Sequence, residues 1–429
     1  MTIVAERVAD HVHPLIAELK RDPAGEAAFW ARMAEDKAPL IEPDPERPGH
    51  SLVTFVFPIP EGAQHVVVVG PGFDGAPRDR VMERVPGTGV CHATFRYRND
   101  VRAHYAFAPD HPLVAFDEMD QEAWQGFLAF VREHPPATDP HHRAFTVDRM
   151  GEGKPDVIDS LLELADAPDH SIILKRPDVA RGWIDTHTFK SEVLGNERRV
   201  WVYTPPGYDP ARRYPVIVAF DGGAALTRTP THRILDNLIA DGAVRPAIAI
   251  LVDNATDASR TWELPCSEPF ARFIETELMP WARGKYSISS DPSDAYVTGV
   301  SYGGLASMWM GFQLPQVFGN VISQAASLWW GPGFDGERPR HLQTYDTEWL
   351  TARYAEAERL PLRIWMEIGL MESPTVMIEP NRRMKALLES KGYDLTYSEP
   401  AGGHDYALWR GTFADALLKM LPARAAEAR

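Results

Sequence analysis

Ala295-Tyr296-Val297-Thr298-Gly299-Val300-Ser301-Tyr302-Gly303-Gly304-Leu305 is the stretch whose reading decides the fold. Its first four residues are apolar and β-prone, and the run from Leu305 to Leu314 suits a helix. Between them, Gly299 to Gly303 spells G-x-S-x-G, the pattern of a nucleophile elbow. The turn from strand to helix is sharp, the serine backbone is strained, and side chains at the flanking positions would collide with strand or helix. The serine hydroxyl then stands exposed above the sheet edge. A pentapeptide with two free positions also arises by chance, and a Gly-rich loop with Ser301 as helix N-cap is the ordinary alternative. The surrounding chain decides between them.

Outward from the elbow, strands alternate with helices. Tyr214 to Phe220 is an apolar strand followed by Asp221-Gly222-Gly223; a helix near 230–241 leads to the strand Ala247 to Val252. Ser267 to Trp281 reads as an amphipathic helix. After the elbow come strands at Val317 to Ser323, Leu362 to Ile368 and Tyr393 to Ser398, with helices at Val376 to Lys391 and Thr412 to Leu421. Ahead of this series, Trp183 to Val193 and Arg198 to Thr204 flank a hairpin turn at Leu194 to Glu197. The pattern predicts a mostly parallel sheet covered by helices on both faces, the α/β-hydrolase class.

The amino-terminal part differs. Residues 1–45 read as helical, with Asp22-Pro23 as a start signal and Phe29, Trp30 and Met33 on one apolar face. Short β-type runs at Ser51 to Phe57, His65 to Val69, Val90 to Tyr97 and Ala103 to Phe107 predict a small β-sandwich. Residues 109–180 are rich in Pro, Asp and His and read as a connection with few strand signals. The expected division is an accessory domain over 1–175 and a catalytic domain over 176–429.

Composition narrows the function. The 429 residues carry a net charge of −16, which argues against nucleic acid or an anionic membrane as a general partner. The two cysteines, Cys91 and Cys266, lie far apart without metal-ligand spacing, so no disulfide framework, metal or cofactor is expected. No apolar run reaches membrane-span length, and the first residues lack a signal-peptide core, so a cytoplasmic enzyme on a small-molecule substrate is expected.

Serine needs a base, and in this fold class the order is Ser, acid, His. His404, in Gly402-Gly403-His404-Asp405, lies between the last strand and the last helix, where the base belongs. Glu372 is the first carboxylate after the strand ending near Ile368. Glu379, Asp405 and an acid-free Ser-His pair are the alternatives. The oxyanion donors are expected to be the N–H of Tyr302 and those of the Gly222-Gly223 loop.

These residues resemble the enterochelin (ferric enterobactin) esterase family across nearly the whole chain. The resemblance rests on Phe29-Trp30, Ala38 to Glu42, Val53 to Phe55, Thr138 to Pro140 and Ser160 to Pro168. It is densest in Arg199 to Tyr203, Arg260 to Cys266, Ser301 to Ala306, Ser323-Gln324, Ser327 to Trp330, Gly402 to Asp405 and Trp409 to Gly411. It implies a cytoplasmic serine hydrolase that opens an iron-loaded catecholate siderophore built on a triserine lactone. It also implies Ser301 as nucleophile, His404 as base, Glu372 as acid candidate and Arg260 as a substrate contact. Trp329 and Trp330 are candidate aromatic walls. Ordinary alternatives are a structural Arg260–Glu263 ion pair and tryptophans buried in the core. Tyr302 stands where the family pattern has Phe, and Asp221-Gly222-Gly223 lacks a bulky residue after Asp-Gly. An acyltransferase or lactone-handling esterase for another natural product, and a non-catalytic binder on a hydrolase scaffold, are the competing functions.

Overall fold

The computed structural model describes residues 5–70, 77–148 and 156–423. Residues 1–4 of the expected helical start lie outside the described residues.

Among the described residues, eight strands form the catalytic sheet. In spatial order they are Trp183–Ser191, Asn196–Thr204, Ile248–Val252, Val216–Ala219, Ala295–Val300, Asn320–Gln324, Arg363–Glu367 and Asp394–Ser398. The first two form the expected hairpin, and the second pairs antiparallel with Ile248–Val252; every later pairing is parallel. Alternation along a strand splits the core in two. Val216 and Val218 join one apolar layer, with Phe270, Phe273, Met308 and Trp309. Ile217 and Ala219 join the opposite layer, with Leu235, Phe413 and Leu417. Both faces of the inner strands are therefore dry, which is why those strands read as continuous apolar runs.

Two antiparallel sheets make the amino-terminal sandwich. One holds Ala5–Arg7, Val90–Arg98, His50–Pro58 and Leu40–Pro43, with Glu83–Arg84 paired at the side. The other holds Val66–Val69, Arg102–Pro109, Val157–Glu163 and Ala144–Asp148. Val53, Phe55, Tyr105 and Phe107 fill the space between them. The same cluster takes in Met371 and Ala401 from the catalytic half, so the sandwich core continues into loops at the sheet's carboxyl edge.

Two expectations need correction. The 109–180 stretch is no plain connection: it carries a helix at Gln121–Glu133 and the strands Ala144–Asp148 and Val157–Glu163. Val157–Glu163 lacks clean apolar alternation; it becomes a strand because Arg102–Pro109 offers it an edge. The start is not one helix from Asp22 either. A strand Ala5–Arg7 precedes two helices, Pro14–Arg21 and Glu26–Asp36, and Pro23 opens a short 3₁₀ turn between them.

Candidate functional site

Ser301 sits between the strand Ala295–Val300 and the helix Tyr302–Gln313 with φ 58° and ψ −118°. That region is nearly closed to non-glycine residues, so the backbone there is strained. The flanking glycines explain how the turn closes. A Cβ on Gly299 would lie 2.6 Å from the Gly303 carbonyl, and one on Gly304 would lie 2.7 Å from the Gln324 carbonyl. The Ser301 N–H donates to the Gln324 carbonyl at 3.0 Å, and the Ser301 carbonyl accepts from Ser327 N–H at 3.2 Å. These bonds fix the strained turn to the neighbouring strand.

The base and the acid arrive on two loops zipped together through their backbones. Leu370 N–H donates to the Pro400 carbonyl at 2.9 Å and Met371 N–H to the Gly402 carbonyl at 3.0 Å. This registers Glu372 against His404. The His404 Nδ1 lies 2.8 Å from one Glu372 oxygen and 3.0 Å from the other. Glu372 is 1% exposed, and the His404 ring packs edge-on to Trp409 at 4.7 Å. Nδ1 therefore carries the proton, and Nε2 is left as the acceptor.

The other carboxylates weighed from the sequence lie elsewhere. Asp405 caps the helix Tyr406–Met420 through the Ala407 N–H at 2.8 Å and accepts from His104 N–H of the sandwich at 3.4 Å. Burial pushes its carboxyl up to about 6. Glu379 pairs with Arg383 on an exposed helix face.

Among the described residues no hydrogen bond joins Ser301 to His404; the Ser301 Oγ instead faces the Ser327 Oγ at 3.4 Å. That contact is long for a hydroxyl pair and leaves the nucleophile free to turn. Ser327 falls within a stretch that carries the family resemblance, but nothing in the sequence marks one serine after a strand as a neighbour of the nucleophile.

The N–H groups of Tyr302 and Gly222 each open a helix, so neither has an intrahelical acceptor. Gly223 does not fit the role expected of it. Its N–H donates to Asp253 at 3.1 Å, which commits it to that carboxylate.

Arg260 lies beside the elbow, with its guanidinium 5.6 Å over the Tyr302 ring. Its partner is Asp221, bound in a fork at 2.7 and 2.8 Å, and not Glu263. Glu263 belongs to Arg198, with both side chains fully buried. The tryptophans separate. Trp329 turns toward the elbow, 6.2 Å from the Tyr302 ring and 4.8 Å from Phe334. Trp330, half-buried, packs against the larger core layer.

Beneath the elbow, Glu367 is buried and accepts from Gln324 Nε2 at 3.1 Å and Thr412 Oγ1 at 2.6 Å. Burial pushes its carboxyl up to about 7. The native state thus holds this proton more tightly than the unfolded chain, whose carboxyl sits near 4.5. Its stabilising contribution is complete below that lower value and is lost as pH rises through 7. E367Q keeps an acceptor oxygen for Gln324 and Thr412 and removes the titration. Thermal unfolding should give similar Tm values for variant and wild type at pH 5 and a higher Tm for the variant at pH 8. Parallel Tm profiles from pH 5 to 8 would show that Glu367 does not titrate in the native state.

Comparison with known proteins gives a consistent picture. A family model described as "Putative esterase" matches residues 191–420, and one described as "Enterochelin esterase, N-terminal" matches residues 52–173. The iron(III) enterobactin esterase of Dickeya dadantii is 29% identical over 427 residues, covering 93% of this chain and 94% of that protein. The iron(III) enterobactin esterase of Escherichia coli K12 is 29% identical over 348 residues, covering 79% and 81%. The ferric enterobactin esterase of Salmonella typhimurium superposes with TM-score 0.74 at 25% identity, covering 92% of this chain and 98% of that one. The Shigella flexneri enterobactin esterase, crystallised in the presence of enterobactin, gives 0.71 at 26% identity with the same coverage. Among the described residues no helix is long and apolar enough to cross a membrane.

Proposed function

The chain belongs to the enterochelin esterase family and is a carboxylic ester hydrolase, and from that premise we propose that it cleaves the seryl esters of a catecholate siderophore, a triserine lactone of the enterobactin type. The observation that carries the mechanism is the pairing of buried Glu372 with His404 Nδ1, on loops beside a strained Ser301. In this reading Ser301 turns from Ser327 toward His404 Nε2, which takes its proton as Oγ attacks the ester carbonyl. The N–H groups of Tyr302 and Gly222 hold the oxyanion. The tetrahedral intermediate collapses, the departing seryl oxygen takes the proton from His404, and the acyl group stays on Ser301. Water then gives a proton to His404 as its oxygen attacks the acyl carbon; the second tetrahedral intermediate collapses, the bond to Ser301 Oγ breaks, and Oγ takes that proton back from His404 as the carboxylic acid leaves. Iron is cargo: opening the macrocycle dismantles the preorganised cage and weakens its hold on the metal.

This reading places the reaction in the cytoplasm, with residues 1–175 as accessory domain and 176–429 as hydrolase. The test is mass analysis after incubation with ferric enterobactin, iron-free enterobactin, linear trimers and a simple aryl ester. Products carrying one added water per opened ester are expected from the siderophore substrates. Cleavage of the aryl ester alone would overturn the substrate assignment. Transfer of the acyl group to an added alcohol in place of water would make the protein an acyltransferase.

A further inference from the structure

Arg260 lies over the Tyr302 ring and Arg340 over the Trp329 ring, and the two arginines are not equivalent. The fork of Arg260 is closed by Asp221, which also accepts from Asn254 Nδ2 at 2.7 Å, so that charge is already balanced. Arg340 has no such partner: among the described residues no carboxylate lies within ion-pair reach, and burial pulls its guanidinium below the usual value. It sits 5.4 Å over the Trp329 ring. Trp329 meets Tyr302, the residue after the nucleophile, and Phe334 closes its other side. Aromatic faces therefore run without a break from Ser301 to a half-buried cation lacking a counter-ion.

The segment carrying Arg340 is held in place. Phe334 packs on Tyr345 at 5.4 Å, and Gln343 bonds to Asp335 backbone atoms in both directions. From the amino-terminal half, the side-chain amides of Gln121 and Gln125 both donate to the Glu337 carbonyl, at 3.1 and 2.7 Å. A desolvated guanidinium without an anion is costly, and a planar anion stacked beside the indole offsets that cost. We propose that Arg340, stacked on Trp329, sets specificity by binding an anionic aromatic group of the ester substrate. This rests on the catecholate-ester reading and deepens it, because it names the cation that reads the substrate's charge.

The test compares R340A, R340K and wild type on ferric enterobactin, an aromatic trianion, and on 4-nitrophenyl butyrate, a neutral ester. R340A should lower the ratio of kcat/KM for the anionic over the neutral ester by about tenfold, through KM. R340K should recover part of the ratio, and the salt dependence of KM for the anionic ester should flatten in R340A. Equal losses on both esters would mean that Arg340 only braces its loop, and no change in the ratio would mean that it meets no substrate anion. A direct titration separates this from the function itself. Intrinsic fluorescence quenching by 2,3-dihydroxybenzoate should be about tenfold weaker for R340A. Should wild type ignore ferric enterobactin yet bind this anion through Arg340, the substrate assignment falls and the anion site stands. Should R340A bind the anion as wild type does, the anion site falls.

Discussion

Ser301→Ala should reduce ester turnover by about 10⁴- to 10⁶-fold while leaving ligand binding intact. The substitution deletes one oxygen and keeps Cβ, so the strained turn at φ 58° closes as before. Its hydrogen bonds to Gln324 and Ser327 use backbone atoms and survive. The lost side-chain contact is the 3.4 Å approach to Ser327, too long to contribute much stability. Fold and Tm should therefore be nearly unchanged, and the loss should lie in kcat. The Tyr302 N–H and the His404–Glu372 pair remain, so a residual rate above water alone is expected. Ser327 is not a substitute nucleophile, because it lies after the neighbouring strand and lacks the elbow that presents Ser301. Single-turnover kinetics on ferric enterobactin, with fluorophosphonate labelling of both proteins, reads the result. Wild-type turnover by the variant, or unchanged labelling, would remove Ser301 from the mechanism.

How much of this was legible in the sequence follows from the range of the forces involved. The elbow, the parallel strands and the hairpin before them are written locally. Apolar strands buried on both faces and glycines forced by backbone contact leave a signature within a few residues. His404 was legible for the same reason, since paired glycines after the last strand mark a loop that must pass close to other backbone. The rest depends on distant partners. Val157–Glu163 is a strand because of Arg102–Pro109, and Trp329 and Trp330 are adjacent in sequence but face different surroundings. The Asp221 fork on Arg260 joins residues 39 positions apart, and Gly223 loses its N–H to Asp253 across 30. Arg340 had no sequence signal, because an arginine becomes conspicuous only once the folded chain is seen to leave it without a carboxylate.

Glu372→Gln should cost about 10² to 10⁴ in kcat with little change in KM. Glu372 meets His404 Nδ1 with both oxygens, at 3.0 and 2.8 Å, and is almost fully buried. Glutamine has the same size and fills the same space, so the loops at Leu370 and Gly402 should keep their register. Two outcomes are open to the amide, and both harm the reaction. If its oxygen faces Nδ1, the imidazole keeps its tautomer but the imidazolium formed on proton transfer has no negative charge beside it. If its NH₂ faces Nδ1, that nitrogen must accept, the ring proton moves to Nε2, and Nε2 can no longer take the proton of Ser301. The loss should therefore appear in the chemical step. Glu379→Gln, on an exposed helix face, provides the comparison and should retain wild-type kcat. Asp405→Asn keeps the oxygen that caps the last helix, so its effect should be small beside that of Glu372→Gln. Pre-steady-state acylation rates for the three variants rank the carboxylates directly. A loss below about tenfold for Glu372→Gln would leave Ser301 and His404 working as a pair without an acid, and a larger loss for Asp405→Asn would move that role to the residue beside the base.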